Sequence, residues 1–282
     1  MRTLFLGATG FVGSALLRVL DKNEELTILT NKSIPMIESK TRLIQGSITD
    51  SETLRKISSN KFERIIDCSW EGLPDLSVTN NLKNLSYKID LYKKMHHLGI
   101  REINSFGTCL EYGDLTGLVS ENTVGQDVGD FGRVKLQILE EIRKLEIPFR
   151  WFRPFYLIGV GQHSNSLLNS AIKSIRRGLE FFPRTPNAAF DFIAIDDAMQ
   201  GVCLALKNPS CNGVINLGTG NILPVNDLVN VVRRHFGITE RHNDISPGLA
   251  ADIKKINSLT GWKPKTPVIE EVMKIIKQIE ST

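Results

Sequence analysis

Residues 3–20 read Thr-Leu-Phe-Leu-Gly-Ala-Thr-Gly-Phe-Val-Gly-Ser-Ala-Leu-Leu-Arg-Val-Leu, and no other stretch limits the chain's options as much. Thr3 to Leu6 form a short apolar strand. Gly7, Gly10 and Gly13 follow, and Val12, Leu16, Val19 and Leu20 then recur at helical spacing. A strand, a glycine-rich turn and a helix in that order make a cradle for a nucleotide phosphate. Gly7 permits the tight turn, Gly10 lets the backbone approach a pyrophosphate, and Gly13 lets the helix pack closely on its strand. The helix N-terminus then offers free N–H groups to the anion. Gly7, Thr9 and Gly10 in the turn, with Phe11 and Val12 opening the helix, are the expected phosphate-side contacts.

Strands and helices alternate beyond that unit. Leu26–Thr30, Arg42–Gln45, Arg64–Cys68, Glu102–Ser105 and Phe149–Phe152 read as strands. Ser51–Ser58, Asn80–Leu98 and Phe131–Leu145 read as helices, with Asp50 and Asp130 as natural caps and Gly99 as a stop. The succession predicts an α/β protein with a doubly wound parallel sheet over residues 1–155. After residue 155, Gly159, Gly161, Pro183, Pro186 and Pro209 break the rhythm. Residues 156–282 are therefore expected to form a smaller substrate-binding lobe, with some crossing of the chain between the two. In open parallel sheets ligands bind beyond the carboxyl ends of the strands, which makes the segments after each strand the site candidates.

Composition narrows the function. The net charge is only +4, and the basic residues are scattered, which argues against nucleic acid and for a small anionic ligand. Met1-Arg2 leads straight into the first strand, so no signal peptide is expected, and no apolar run nears the roughly 18 residues of a membrane helix. The four cysteines form no C-x-x-C pair, and no metal site is expected. These features predict a cytoplasmic protein with reduced thiols.

Gly7-Ala-Thr-Gly-Phe-Val-Gly13 resembles the cofactor motif of the extended short-chain dehydrogenase/reductase family, whose fold is Rossmann-type. Ser105-Phe-Gly-Thr-Cys-Leu-Glu-Tyr-Gly113 is similar to the segment that carries that family's catalytic serine or threonine. Arg153-Pro-Phe-Tyr-Leu-Ile-Gly-Val-Gly-Gln162, Asp191-Phe-Ile-Ala-Ile-Asp-Asp197, Asn216-Leu-Gly-Thr-Gly220 and Gly261-Trp-Lys-Pro264 match later signatures in order and spacing. Members mostly reduce, epimerise or dehydrate nucleotide-diphosphate sugars, and this chain looks most like the 4-keto-sugar reductases of carbohydrate biosynthesis. The resemblance also implies a homodimer through helices 80–98 and 131–145.

The family pairs a proton-transferring tyrosine with a lysine one helical turn later. Here Phe131-Gly-Arg-Val-Lys135 stands in that place, so the lysine is kept and the phenol is missing. Three accounts stay open: a tyrosine replaced to trap a complex, a member that moves the proton with another group, or a cofactor-binding protein without redox chemistry. The resemblance implies that Thr108 holds the substrate oxygen and that Lys135 holds the nicotinamide ribose. Asn31 and Lys32 follow the second strand without a carboxylate, which favours NADP(H) over NAD(H). Ser47 and Ile48 fall near the adenine, and Cys68 and Ser69 against the cofactor. Trp151 and Pro154 fall on a wall of the nicotinamide pocket. Trp70, Arg153, Asn165, Ser166, Leu167 and Arg184 are the expected contacts to the sugar, base and diphosphate. Glu111, Asp114 and Glu121 are the carboxylates expected nearest the cleft, and Cys109-Leu110 after Thr108 disfavours a dehydratase. The expected activity is NADPH-dependent reduction of a keto group on a nucleotide-diphosphate sugar, impaired by Phe131. An epimerase, or an inactive nicotinamide-binding sensor or scaffold, is the alternative.

Overall fold

The structure is a computed structural model that describes residues 1–21, 24–31, 41–242 and 244–281. Its elements run β1 (Arg2–Leu6), α1 (Phe11–Val19), β2 (Glu25–Thr30), β3 (Arg42–Gln45), α2 (Ser51–Asn60), β4 (Arg64–Asp67), α3 (Val78–His97) and β5 (Glu102–Phe106). A short 3-10 turn, Cys109–Tyr112, precedes β6 (Gly117–Val119), α4 (Asp130–Arg143), β7 (Phe149–Pro154), β8 (Tyr156–Ile158) and α5 (Leu167–Arg176). Then come β9 (Ala189–Phe190), β10 (Phe192–Ala194), α6 (Ile195–Lys207), β11 (Gly213–Leu217) and β12 (Leu223–Pro224). The chain ends with α7 (Val225–His235), β13 (Leu249–Ala251), α8 (Lys254–Thr260) and α9 (Val268–Glu280).

Residues 1–114, 124–153 and 202–215 form one compact unit, and residues 115–123, 154–201 and 216–282 form another. In the first, the strands lie in the order β11-β7-β5-β4-β1-β2-β3. The paired strands β1 through β5 and β7 run parallel. All of them but β3 bury four residues in succession, because both faces of a parallel sheet are covered. Leu4, Leu6, Ile65, Ile103 and Trp151 from the sheet pack with Leu91, Met95, Ile138 and Leu139 from α3 and α4. The second unit has its own core, where α5, α7 and α9 bring together Ile172, Leu228, Val232 and Ile276.

Two expected caps do other work. Asp50 precedes α2, but its Oδ2 accepts the Ser47 N–H at 2.9 Å instead of capping the helix. Asp130 is the first residue of α4, not its cap, and pairs with Arg133 one turn on. α3 starts two residues earlier than expected because Ser77 Oγ accepts the Asn80 N–H. Among the described residues no helix is long and apolar enough to cross a membrane.

Candidate functional site

The carboxyl ends of β1 to β4 open onto a cavity of about 370 Å³ in the first unit. Gly7, Thr9 and Gly10 form its floor between two ends. Leu29, Thr30, Asn31, Gly46 and Ser47 make one end; Cys68, Ser69, Trp70, Glu71, Asn84, Tyr87 and Lys88 make the other. Gly7 has φ +77°, and a Cβ there would lie 2.5 Å from the Ser69 nitrogen. A Cβ on Gly13 would lie 2.0 Å from the Gly7 carbonyl oxygen, so α1 packs at a distance only glycine allows. At Gly10 the same test meets nothing closer than 3.4 Å, which leaves that face of the turn open. Gly10 stands at the N-cap of α1 with no side-chain cap, and Phe11 and Val12 follow in its first turn. Their N–H groups have no partner within the helix. A narrow turn with a glycine at each end, leading into uncapped N–H groups, fits a nucleotide diphosphate.

Asn31 and Ser47 line the cavity, whereas the Ile48 side chain is 1% exposed in the core, leaving only its backbone for a ligand. Lys32, on which the preference for NADP(H) leaned, lies outside the described residues.

At the other end β4 delivers Asp67, Cys68, Ser69 and Trp70. Asp67 is fully buried and accepts from Lys88 Nζ at 2.5 Å, Tyr92 Oη at 2.7 Å and Ser69 Oγ at 2.6 Å. Burial alone would raise its carboxyl, but the Lys88 charge and these hydrogen bonds hold it below the usual range. Burial, and then the Asp67 charge, push the Cys68 thiol well up, so the thiol on the cavity wall is an inert neutral group.

Phe131 and Lys135 lie one turn apart on α4, and Trp70 touches both. The Trp70 and Phe131 rings meet edge to face at 5.1 Å. Lys135 Nζ sits 3.9 Å from the centre of the Trp70 ring and donates to the Phe106 carbonyl at 2.8 Å. Burial first, and then the Lys88 charge, push Lys135 from its usual 10.5 down to about 7.

Thr108 follows β5 in a capping box. Its Oγ1 accepts the Leu110 N–H, and Glu111 Oε1 accepts the Thr108 N–H at 2.8 Å. The Thr108 hydroxyl therefore keeps its own proton to donate. Glu111 does not face a cleft. It is 1% exposed and also accepts from Trp151 Nε1 at 3.0 Å and Arg153 Nε at 2.6 Å. Two expectations change with it. Trp151 is sealed in the core, and the Arg153 guanidinium is spent on Glu111 and the Tyr112 ring instead of reaching for a ligand. The clamp joins positions 40 and 42 residues apart, which no local pattern announces.

In the second unit Ser166 caps α5 by accepting the Asn169 N–H, next to an exposed Asn165 and a half-buried Leu167. Arg184 is exposed, Pro154 closes β7, and Glu121 accepts the Asn216 N–H at 3.0 Å. Asp67 and Lys88 were missed altogether. A lysine inside an otherwise amphipathic helix and an aspartate ending an apolar strand were the available signals.

Residues 3–218 match the NAD dependent epimerase/dehydratase family. A UDP-glucose 4-epimerase of Lactobacillus helveticus is 23% identical, covering 97% of this chain and 95% of the relative. A dTDP-6-deoxy-L-talose 4-dehydrogenase (NAD(+)) of Aggregatibacter actinomycetemcomitans is 24% identical over 70% of this chain and 77% of its own length. Among solved structures, the UDP-glucuronic acid 4-epimerase of Bacillus cereus in complex with NAD superposes with a TM-score of 0.83 at 20% identity, covering 99% of each chain.

Proposed function

Because the chain belongs to the NAD dependent epimerase/dehydratase family, we propose that it binds NAD(H) in the glycine cradle and acts on a hydroxyl or keto carbon of a nucleoside-diphosphate sugar. The observation that carries this reading is the cradle of Gly7, Thr9 and Gly10 in one cavity with Trp70, the residue that lies on Lys135 and Phe131. NAD(H) replaces NADP(H) as the proposed cofactor. The names of the dehydrogenase relative and of the Bacillus cereus structure mention NAD, and the described end of β2 carries no cation at Thr30 or Asn31.

When bound, the dinucleotide supplies a hydride acceptor or donor. The chain's own residues do the rest. Gly7 to Val12 hold the diphosphate, the Lys135 amine takes the second ribose, and the Thr108 hydroxyl donates to the sugar oxygen. Phe131 has no proton to give, so turnover is slow. Epimerisation at C4 is the first reading, supported by the epimerase relative that spans 97% of this chain. One-way reduction is the second, supported by the Gly-Thr-Cys-Leu-Glu-Tyr-Gly stretch at 107–113. Residues of α3 such as Val78 and Leu82, both 53% exposed, support pairing with a second copy through α3 and α4.

Incubating the purified chain with NAD and UDP-sugars, and separately with NADH and 4-keto-sugar nucleotides, tests both readings. Interconversion of sugars without net change at 340 nm marks an epimerase. Stoichiometric loss of NADH marks a reductase. No binding of any dinucleotide overturns the proposal.

A further inference from the structure

Four arginines are buried among the described residues, and three of them face a carboxylate. Arg64 pairs with Glu24 at 2.7 Å, Arg150 with Glu102 at 2.8 Å and Arg153 with Glu111 at 2.6 Å. The fourth, Arg233 on α7, is 3% exposed and has no carboxylate partner among the described residues. It donates to neutral oxygens instead. Nη1 reaches Asn226 Oδ1 at 3.1 Å and Asn230 Oδ1 at 2.8 Å, and Nη2 reaches the Phe181 carbonyl at 3.0 Å. Its Nε–H has no acceptor among the described residues. Trp70 Nε1, Asn81 Oδ1 and Arg150 Nε are the described side-chain polar atoms that are both sealed and unpartnered, so Arg233 Nε opens to reachable space. Proteins rarely keep a buried cation without a counter-charge, because neutral acceptors repay only part of its lost hydration.

That space is a cavity of about 480 Å³ inside the second unit, built where two helices end alike. Gly178 after α5 and Gly237 after α7 take φ +72° and +69°. The next residue then reaches back, Leu179 N–H to the Ser174 carbonyl at 3.0 Å and Ile238 N–H to the Arg233 carbonyl at 2.8 Å. These turns satisfy carbonyls at both helix ends, and they set Leu179 and Ile238 on the cavity wall with Ile175 and Phe181. The apolar residue after such a turn commonly covers its own helix, yet Leu179 is 60% exposed and Ile238 48%. The other charges on the wall cancel. Glu180 pairs with Arg241 at 2.7 Å, and Glu240 pairs with Arg234 at 2.8 Å. Arg233 is left as one positive charge beside an apolar wall. Burial first, and then the Arg241 charge, pull its guanidinium below the usual value, and an anion in the cavity would offset both.

We propose that this cavity binds a small organic monocarboxylate, its carboxylate on the Arg233 Nε–H and its hydrocarbon body against Ile175, Leu179, Phe181 and Ile238. One uncompensated positive charge suits one negative charge, whereas a diphosphate would bring more charge than the wall neutralises. Several hundred Å³ of mostly apolar wall around one fixed polar group is the usual form of a small-ligand site. None of these residues lines the glycine cradle, so the site stands apart from the dinucleotide reading and does not depend on it.

The test is a methyl spectrum of the full chain carrying ¹³C-labelled isoleucine and leucine, titrated with octanoate, octanamide, inorganic phosphate and UDP-glucose. Octanoate is expected to move the Ile175, Leu179 and Ile238 peaks, each assigned by its loss in a single substitution. Octanamide has the same body without the charge and should bind roughly tenfold more weakly or worse, the worth of hydrogen bonds to a charged group. Arg233→Gln should weaken octanoate by a similar factor and leave octanamide as it was. Arg233 also holds the Phe181 carbonyl, so a second variant guards against misfolding. Leu179→Glu puts a negative charge on the exposed rim, and it should weaken octanoate as much while the melting temperature stays unchanged. The inference is wrong if octanoate moves none of these peaks, binds no better than octanamide, or binds Leu179→Glu as tightly as the native chain. Movement with phosphate but not octanoate would make this an inorganic-anion site. Displacement of octanoate by UDP-glucose would make it part of a sugar-nucleotide site. Either result overturns the proposal and leaves the functional reading standing.

Discussion

On the reading proposed above, a single oxygen atom at position 131 separates a slow catalyst from a fast one. Phe131→Tyr adds a phenol one turn from Lys135, and turnover of the accepted sugar nucleotide should rise by roughly 10²–10⁴-fold. Steady-state rates of the two chains side by side check this. Lys135 makes a second prediction. With its proton held down to about 7 in the folded chain against its usual 10.5, the unfolded chain binds more protons between those values, so stability rises with pH across that window. Lys135→Met should remove up to one proton of that slope, about 1.4 kcal/mol per pH unit, in urea titrations from pH 7 to 10. The glycines and the Phe131–Lys135 spacing were legible because short-range patterns write them. Glu111 was not. Its partners lie on β7, and only the adjacency of β5 and β7 turns a presumed cleft carboxylate into a buried clamp. Glu111→Gln should leave Arg153 buried without its counter-charge and cost about 3–5 kcal/mol of unfolding free energy, measurable by chemical denaturation.

Elements meet here at glycine-only distances. Besides Gly13 against Gly7, a Cβ on Gly132 of α4 would come within 2.4 Å of the Leu110 carbonyl in the turn behind Thr108. The helix bearing Phe131 and Lys135 is thereby seated on the turn bearing Thr108. Gly132→Ala should push the two apart and reduce turnover together with melting temperature. Gly10→Ala, by contrast, meets only the 3.4 Å contact inside the fold and obstructs the space for a phosphate. It should melt within a few degrees of the native chain yet lose most of its NAD affinity by titration. The strand ends that form the cradle followed from periodicity, as did the start of α2 at Ser51, whereas α3 starts two residues before its expected first residue. Asp50 and Asp130 look like caps in sequence but satisfy other donors, while Ser77 caps unannounced.

Over the whole molecule, the chain returns to the first unit after residue 155, through residues 202–215. Nothing local in residues 213–217 says which sheet that strand joins. A fragment ending at residue 155 should therefore be poorly soluble by size-exclusion chromatography, because it leaves β7 as an unpaired edge. The place of β11 at the margin of the seven-stranded sheet, beside β7, also sets a timetable. On a ribosome adding about 5–20 residues per second, β7 is finished several seconds before the strand that covers it exists. For that interval the nascent chain carries an apolar sheet with one side bare, and its survival in the cell rests on what shields that edge while the second unit is still being made.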